Sequence, residues 1–411
     1  MKKMNIWFFS PNGQPRGHSS RIYDYSLEMM KRGHKVTIFT KSFIHRSRED
    51  YLAPHEKVRI EEIDGIRVVW LRTIHYAGSS SMRGISELQF AWRAFQIART
   101  INDKPDVVIA DSVPPINGLA ASKCADRIEA AFVYQVRDVW PIALVYDGTL
   151  SKRNPIYLIF RLIEKYLYRK SRVICSAVPF LHQHVLESGS SSDKVMCIPN
   201  GVNLERYPVL EPYDGGEELP LVAMYVGAFG FAHDVITIVR AAKILQQEGN
   251  NNYRFVIVGD GVKRAECERE VSMNRLSNIE FRDTVPKSDV PRLQSQADIF
   301  IACVLDSDAY RFGINLNKIY DYFASGRPVI FSGNAPNDHV RSSGAGFSIP
   351  PENPDAMVDA LKMYLEMSPD ERKQMGNRAR RYAESEFDVR KLADRFEVLL
   401  LQAIKADIEA D

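Results

Sequence analysis

Short apolar runs alternate with helix-length amphipathic stretches along almost the whole chain, and the alternation breaks once before it restarts. The first series of runs covers residues 5–10, 35–40, 66–71, 107–110, 132–136 and 173–176, with helical spacing between most of them, as in 20–32 and 86–101. Strands that alternate with helices predict a parallel sheet covered on both faces. The break at 207–220 (YPVLEPYDGGEELP) is rich in Pro, Gly and acid and has no periodicity, so it reads as a linker. Runs at 221–226, 253–258, 279–281, 299–304, 328–331 and 346–349 then repeat the pattern, and helical stretches at 354–367, 369–386 and 389–406 end it.

The expected organisation is α/β: two Rossmann-like doubly wound domains facing a central cleft. Residues 1–206 form the first, 207–220 the linker and 221–388 the second, with a helix over 389–411 that packs back on the first domain. Doubly wound sheets bind ligands at the carboxyl ends of their strands, which places the site in the cleft. A chain of 411 residues suits two such domains. The 54 Lys and Arg nearly balance the 52 Asp and Glu, so no bulk charge points to nucleic acid. Five cysteines lie singly, with no paired spacing and no His at metal spacing, as expected of reduced thiols in a cytoplasmic protein. The start is too short an apolar run for a signal peptide, and no run reaches about 18 apolar residues, so no span of a bilayer is expected.

Several segments carry chemistry. In YVGAFGFAHD (225–234) a strand runs into a turn with Gly227 and Gly230 and then into a helix over 235–247. Free amides and the helix dipole at such a junction suit a phosphate; a merely tight turn fits equally well. VIVGDG (256–261) ends the next strand with a second turn of this kind at Gly259, and the 281–287 loop (FRDTVPK) follows the third. A nucleobase can be read there through the backbone at Thr284 and Val285, although an ordinary loop has the same composition. The most informative stretch is RFGINLNKIYDYFASGRPVI (311–330). Asn317 and Lys318 would open a helix and present its amides and one ammonium to a pyrophosphate, with Asn315 just before them. Asp321, one turn on, would accept both hydroxyls of a ribose, and Gly326 and Pro328 end the helix.

On the first domain, SPNGQPRGHSSR (10–21) joins the first strand to the first helix at the cleft end of the sheet. Gly13 and Gly17 give this loop freedom, while Arg16, His18 and Arg21 offer charge; His18 reads as a phosphate contact or as a plain polar loop residue. His34 reads as a structural turn residue on the far side. The 152–172 segment (KRNPIYLIFRLIEKYLYRKSR) has seven Lys and Arg against one acid, Glu164. Its apolar residues either lie on an anionic membrane surface or belong to the core.

The order VGxxG, VGDG and DYFASGRPVI resembles the donor half of family 4 glycosyltransferases, the retaining GT-B enzymes. KRGHKVTI (31–38), KPDVVIA (104–110) and IPNGVNL (198–204) resemble their first half, and VRDVWP (136–141) resembles a bacterial cell-surface polysaccharide subgroup that includes N-acetylfucosaminyl transferases of O-antigen assembly. The likeness runs from residue 4 to about 390. It implies metal-independent transfer, with no cofactor and with retention, of an N-acetylated hexosamine from a UDP-sugar to a lipid-linked glycan. The work would be done at the inner face of a cytoplasmic membrane, met through 152–172. It also implies roles: catalytic for Lys318, Arg137 and Asp138; donor-binding for Gly227, Gly230, His233, Gly259, Thr284, Val285, Asn315, Asn317, Lys318 and Asp321; acceptor-side for Gly13, Arg16, Gly17 and His18.

The chain departs from the family in three places. The family has two glutamates eight positions apart; here Asp321 takes the second place and Gly313 the first, with Asp306 or Asp308 as substitutes. An Arg and a Lys commonly follow the first glycine turn, where this chain has Phe229 and His233. Many members have a His where Arg137 stands. Two other functions stay open on these residues: a UDP-sugar 2-epimerase of similar frame, and a nucleotide-sugar-binding protein without catalysis.

Overall fold

The computed structural model describes residues 3–15, 20–44, 49–76, 80–146, 148–207, 213–216 and 218–408. The chain divides into two compact units, 1–200 with 389–411, and 201–388. The division lies upstream of the boundary expected at 206. The reason is local: Leu204 and Tyr207 bury their side chains in the core of the second unit, and Val202 donates its N–H to the Phe387 carbonyl there.

The first unit holds β1 (Asn5–Phe9), β2 (Lys35–Lys41), β3 (Phe43–Ile44), β4 (Glu49–Asp50) and β5 (Val58–Ile63). It continues with β6 (Ile66–Leu71), β7 (Val107–Asp111), β8 (Ala131–Val136), β9 (Val173–Ser176) and β10 (Val195–Cys197). Eight of these form one sheet in the order β10-β9-β8-β7-β1-β2-β6-β5; β3 and β4 pair as a separate two-residue hairpin. Every pairing in the large sheet is parallel except β5 with β6. All residues of β1, β7, β8 and β9 are buried, as a sheet covered on both faces requires. The helices Ser20–Lys31 and Val389–Ile408 pack into the core on one face. Val389, Leu392, Ala393, Phe396, Leu399, Leu400 and Ala403 recur at helical spacing and are all buried, with Phe396 stacked on Phe8 at 6.2 Å. The helices Ser80–Ala98, Pro115–Ile128 and Pro155–Lys170 lie side by side as a second layer.

The second unit is a six-stranded, all-parallel sheet: β11 (Leu221–Val226), β12 (Tyr253–Val258), β13 (Ile279–Arg282), β14 (Ile299–Cys303), β15 (Val329–Ser332) and β16 (Gly346–Ile349). Its order, β13-β12-β11-β14-β15-β16, is doubly wound, and the winding reverses between β11 and β14. In the first sheet the same reversal lies between β1 and β7. Neighbouring helices run to opposite faces at a reversal, so a crevice opens there outside the carboxyl ends of the strands.

Two expected stretches need adjustment. The 86–101 helix begins earlier, at Ser80, and ends at Ala98; the 369–386 helix ends at Tyr382 and is followed by a π turn over Ala383–Phe387. The basic 152–172 segment is a helix over Pro155–Lys170, capped by the Asn154 side chain accepting from the Ile156 N–H. Its stripe of Ile159, Leu162 and Tyr166 does not serve the core: these side chains are exposed, Leu162 to 67%. What it buries instead includes Glu164, which pairs with Arg161 and His184 and accepts from the Tyr168 hydroxyl at 2.9 Å. Arg161 is thus a structural ion-pair partner rather than a free surface cation.

Candidate active site

The second unit's reversal point is built from four strand ends. β11 ends at Val226, and the turn over Gly227–Gly230 leads to the Val235–Gln247 helix. Gly227 donates its N–H to the Val258 carbonyl at 3.0 Å and Phe229 donates to the Asp260 carbonyl at 2.9 Å, so the turns after β11 and β12 run against each other. Gly259 has φ +144°, and a Cβ there would meet the Gly227 carbonyl oxygen at 1.9 Å. No other residue fits. Arg264 ties the second turn to the third loop: it donates to the Gly259 carbonyl at 2.9 Å and pairs with Asp283 at 2.8 Å. Thr284 stands exposed beside it, and Val285 packs partly on the core.

The Asn317–Ala324 helix starts opposite these turns. Leu316 occupies its N-cap and has no side-chain oxygen to satisfy the first-turn amides, which a Ser or Asp in that place would do. Lys318 is half-buried, with its Nζ donating to the Tyr225 hydroxyl at 2.7 Å and lying 4.2 Å from the centre of that ring. The same Nζ lies 3.0 Å from the position a Cβ on Gly227 would take, so the ammonium faces the first glycine turn. No carboxylate pairs with it among the described residues. Burial pushes the Lys318 ammonium down to about 8.

His233 completes the cluster. Burial, and then the charge of Lys318, push its imidazole down to about 3, so the ring is neutral at any ordinary pH. Its Nδ1 is shut off from solvent and has no hydrogen-bond partner among the described residues. Tyr322 fixes the helix to the strand, its hydroxyl accepting from the Val226 N–H at 2.8 Å and donating to the Val226 carbonyl at 3.1 Å. Asn315 accepts from the Tyr320 hydroxyl at 2.7 Å, and Asn317 is exposed at the helix start.

Asp321 is half-buried and takes a hydrogen bond from the Tyr207 hydroxyl, which with burial raises that phenol well above its ordinary range. Gly313, in the place of the family's first glutamate, has φ +97°, a conformation that suits glycine. Asp306 and Asp308 stand exposed on the preceding loop, and the Asp306 N–H donates to Glu352 at 3.2 Å.

The first unit fills its own reversal point. Ser10, at the end of β1, donates to Asp111 at the end of β7, and Gln135 donates to the same carboxylate. Arg21 lies buried beyond them, donating to Gln135, to the Pro199 carbonyl and to the Cys175 sulfur. Arg21 therefore offers no charge to the 10–21 loop; it is consumed by structure. Gly13 sits so close to Ser10 that a Cβ would meet the Ser10 Cβ at 2.9 Å. Arg16, Gly17 and His18 lie outside the described residues. Arg137 is half-buried, its N–H donating to the Ser112 hydroxyl at 3.2 Å. Next to it Asp138 is open at its surface, yet packed surroundings and the negative charge of Asp111 push its carboxyl up. His34 is buried, its Nδ1 accepting from the Met4 N–H and its Nε2 3.0 Å from Glu397.

Sequence reasoning missed Tyr225, Tyr322 and Arg264. The two tyrosines read as core residues at apolar spacing, and their polar ends matter only because strand and helix meet. Among the described residues no group of three or more His, Cys, Asp or Glu is placed to hold a metal ion. A desolvated ammonium, an uncapped helix start and two glycine turns come together at one reversal point, an arrangement whose chemistry suits a compact multivalent anion.

Residues 16–201 match the family described as Glycosyl transferase 4-like domain, and residues 220–367 match Glycosyl transferases group 1. With both halves matched on a frame of two parallel α/β units, the chain belongs to the GT-B glycosyltransferases. No curated protein matches it in sequence. Among solved structures it is similar to sucrose-phosphate synthase from Thermosynechococcus elongatus, with a TM-score of 0.75 and 17% identity over 98% of this chain and 100% of that one. It is also similar to Anabaena Alr3699/HepE in complex with UDP (TM-score 0.69, 14% identity, 97% and 99% covered). A third is the trehalose-6-phosphate protein of E. coli bound with UDP-2-fluoro glucose (TM-score 0.72, 9% identity, 96% and 98% covered). At these identities the likeness establishes the fold.

Proposed function

We propose that the protein moves an N-acetylated hexosamine from a UDP-sugar to a hydroxyl of a lipid-linked glycan, with retention and without a metal, in the synthesis of a cell-envelope polysaccharide. The observation that carries this reading is Lys318, a desolvated ammonium without a carboxylate partner among the described residues, facing a glycine turn at the start of an uncapped helix. Structures of the same fold that hold UDP or UDP-2-fluoro glucose support a uridine diphosphate as the anion. In this reading the diphosphate lies between Gly227, Gly230 and the amides of Asn317 and Lys318, beside His233. Thr284 and Val285 flank the base, with Gly259 letting the chain come close, and Asp321 adds ribose hydroxyls to its bond with Tyr207. Negative charge grows on the diphosphate as the glycosidic bond breaks, and donors already in place stabilise it without reorganising. Arg137 and Asp138 take a catalytic role, and Gly13, Arg16, Gly17 and His18 belong to the acceptor side. The acceptor's lipid implies work at the inner face of the cytoplasmic membrane, with 152–172 against anionic headgroups.

The test is incubation of the pure protein with a panel of UDP-sugars and a membrane lipid extract, the product's anomeric configuration being read by NMR. A glycolipid with retained configuration is expected. Interconversion of sugars without acceptor would instead identify an epimerase, and binding without turnover a protein that has lost catalysis. In the same assay Asp321→Ala should weaken donor binding by about 2–4 kcal/mol, the loss of two charge-assisted hydrogen bonds. Unchanged affinity removes the ribose from Asp321.

A further inference from the structure

The Ser80–Ala98 helix contains one acid, Glu87, and the fold hides it: its carboxylate is buried and pairs with the buried Lys41 at 2.6 Å. Met82, Ile85, Leu88 and Trp92 recur every three or four residues and stand outward, Trp92 to 62% and Leu88 to 53%. Arg83 is exposed on the same helix, and Arg99 just past its end. The Pro155–Lys170 helix is built on the same plan. Its one acid, Glu164, is turned inward, while Ile156, Ile159, Leu162 and Tyr166 face out, beside the exposed Lys152, Arg153 and Arg169. Between the two lies the Pro115–Ile128 helix, which packs against both and exposes Lys123 and Arg127 together with Asp126, the last paired with Lys170 at 2.6 Å. Two helices of one layer therefore reverse the usual polarity, burying their acids and presenting apolar side chains among cations.

We infer that the outward face of the Ser80–Ala98 helix is a second membrane-contact surface, which enters an anionic bilayer alongside the Pro155–Lys170 helix. The inference rests on the reading of the protein as a transferase acting on a lipid-linked acceptor. An apolar row of this kind is seldom left uncovered on a soluble protein. The charge decides what covers it. A second copy docked face to face would set arginines and lysines against their like, whereas an anionic leaflet neutralises them and takes the apolar side chains at headgroup depth. Trp92 is suited to that depth, with an apolar ring and one polar N–H.

Trp92 also supplies the readout. Trp7 and Trp70 are buried and Trp140 is half-buried, so lipids brominated on their chains should quench Trp92 first. Vesicles rich in phosphatidylglycerol should quench the wild-type fluorescence, and Trp92→Phe should abolish most of the change. Leu88→Asp, on an exposed position that folding does not need, should lower vesicle affinity at least tenfold while UDP-sugar affinity stays unchanged. Sedimentation with the vesicles but no quenching of Trp92 would overturn the inference, leaving the Pro155–Lys170 helix to dock alone and the proposed function intact. A failure of the wild type to bind vesicles at all would overturn both the inference and the membrane part of the function. Self-association that Leu88→Asp abolishes, in the absence of lipid, would assign the face to a second copy and sink the inference as well.

Discussion

Both units are doubly wound about a reversal point, and they use it in opposite ways. In the first, Ser10, Asp111, Gln135 and Arg21 satisfy one another across the ends of β1, β7 and β8, and the charge of Arg21 is spent on Gln135, a backbone carbonyl and a sulfur. In the second, Lys318 has a phenol for company, and His233 has a buried nitrogen with no partner among the described residues. A buried polar network that is complete specifies structure; one left incomplete costs free energy until a ligand completes it. The proposed anion site is thus marked less by which residues are present than by which are left unanswered.

The contrast can be broken by mutation. Lys318→Ala should lower kcat by roughly 10²- to 10³-fold, because its charge meets a diphosphate that grows more negative in the transition state. An unchanged kcat with a raised KM would reduce Lys318 to a donor-holding residue. Arg21→Ala should do the reverse, removing about 2 kcal/mol of stability by leaving buried acceptors unpaired, with donor affinity untouched. Urea unfolding beside a UDP-sugar titration checks it, and a loss of donor affinity at full stability would make the two reversal points functionally alike. The smallest effect concerns pH. Lys318 is charged below about 8 and neutral above it, so donor attraction is present at low pH and lost as pH rises through that value. Affinity should be about 5- to 10-fold weaker at pH 9 than at pH 7. Lys318→Arg, which stays charged, should flatten the curve, whereas a wild-type affinity that is level from pH 7 to 9 would detach the site from this ammonium.

Period and punctuation made much of this fold legible. Runs at 66–71, 173–176, 221–226, 253–258 and 346–349 coincide with β6, β9, β11, β12 and β16, because these strands are largely apolar, and Gly227, Gly259 and Pro350 follow directly on β11, β12 and β16. β5 was overlooked although its signal is present: Asp64 and Gly65 both have positive φ and close a two-residue hairpin, and Asp-Gly between strand-like runs marks that turn. Its sequence, VRIEEI, mixes Arg59, Glu61 and Glu62 with apolar residues at the sheet edge, so it forms no apolar run. Glu87, Glu164 and Arg21 mislead for another reason. Charged residues read as solvated until a partner far along the chain, such as Lys41, His184 or the Pro199 carbonyl, takes them in. The site divides likewise: glycines and the Asn317–Lys318 helix start are local, but the meeting of Lys318 with Tyr225 spans two strands' worth of topology.

The Val389–Ile408 helix gives the chain an unusual order of completion. Its Phe396, Leu399 and Leu400 form part of the first unit's core, yet they follow the whole second unit in sequence. While the second unit, which is continuous in sequence from 201 to 388, can assemble as soon as it emerges, the first must wait with one wall of its interior missing. A nascent chain cut short anywhere before 389 would carry an open apolar face on β1 and the Ser20–Lys31 helix. Quality-control machinery would meet such a product as unfinished, and partial chains of this enzyme would be cleared rather than accumulate.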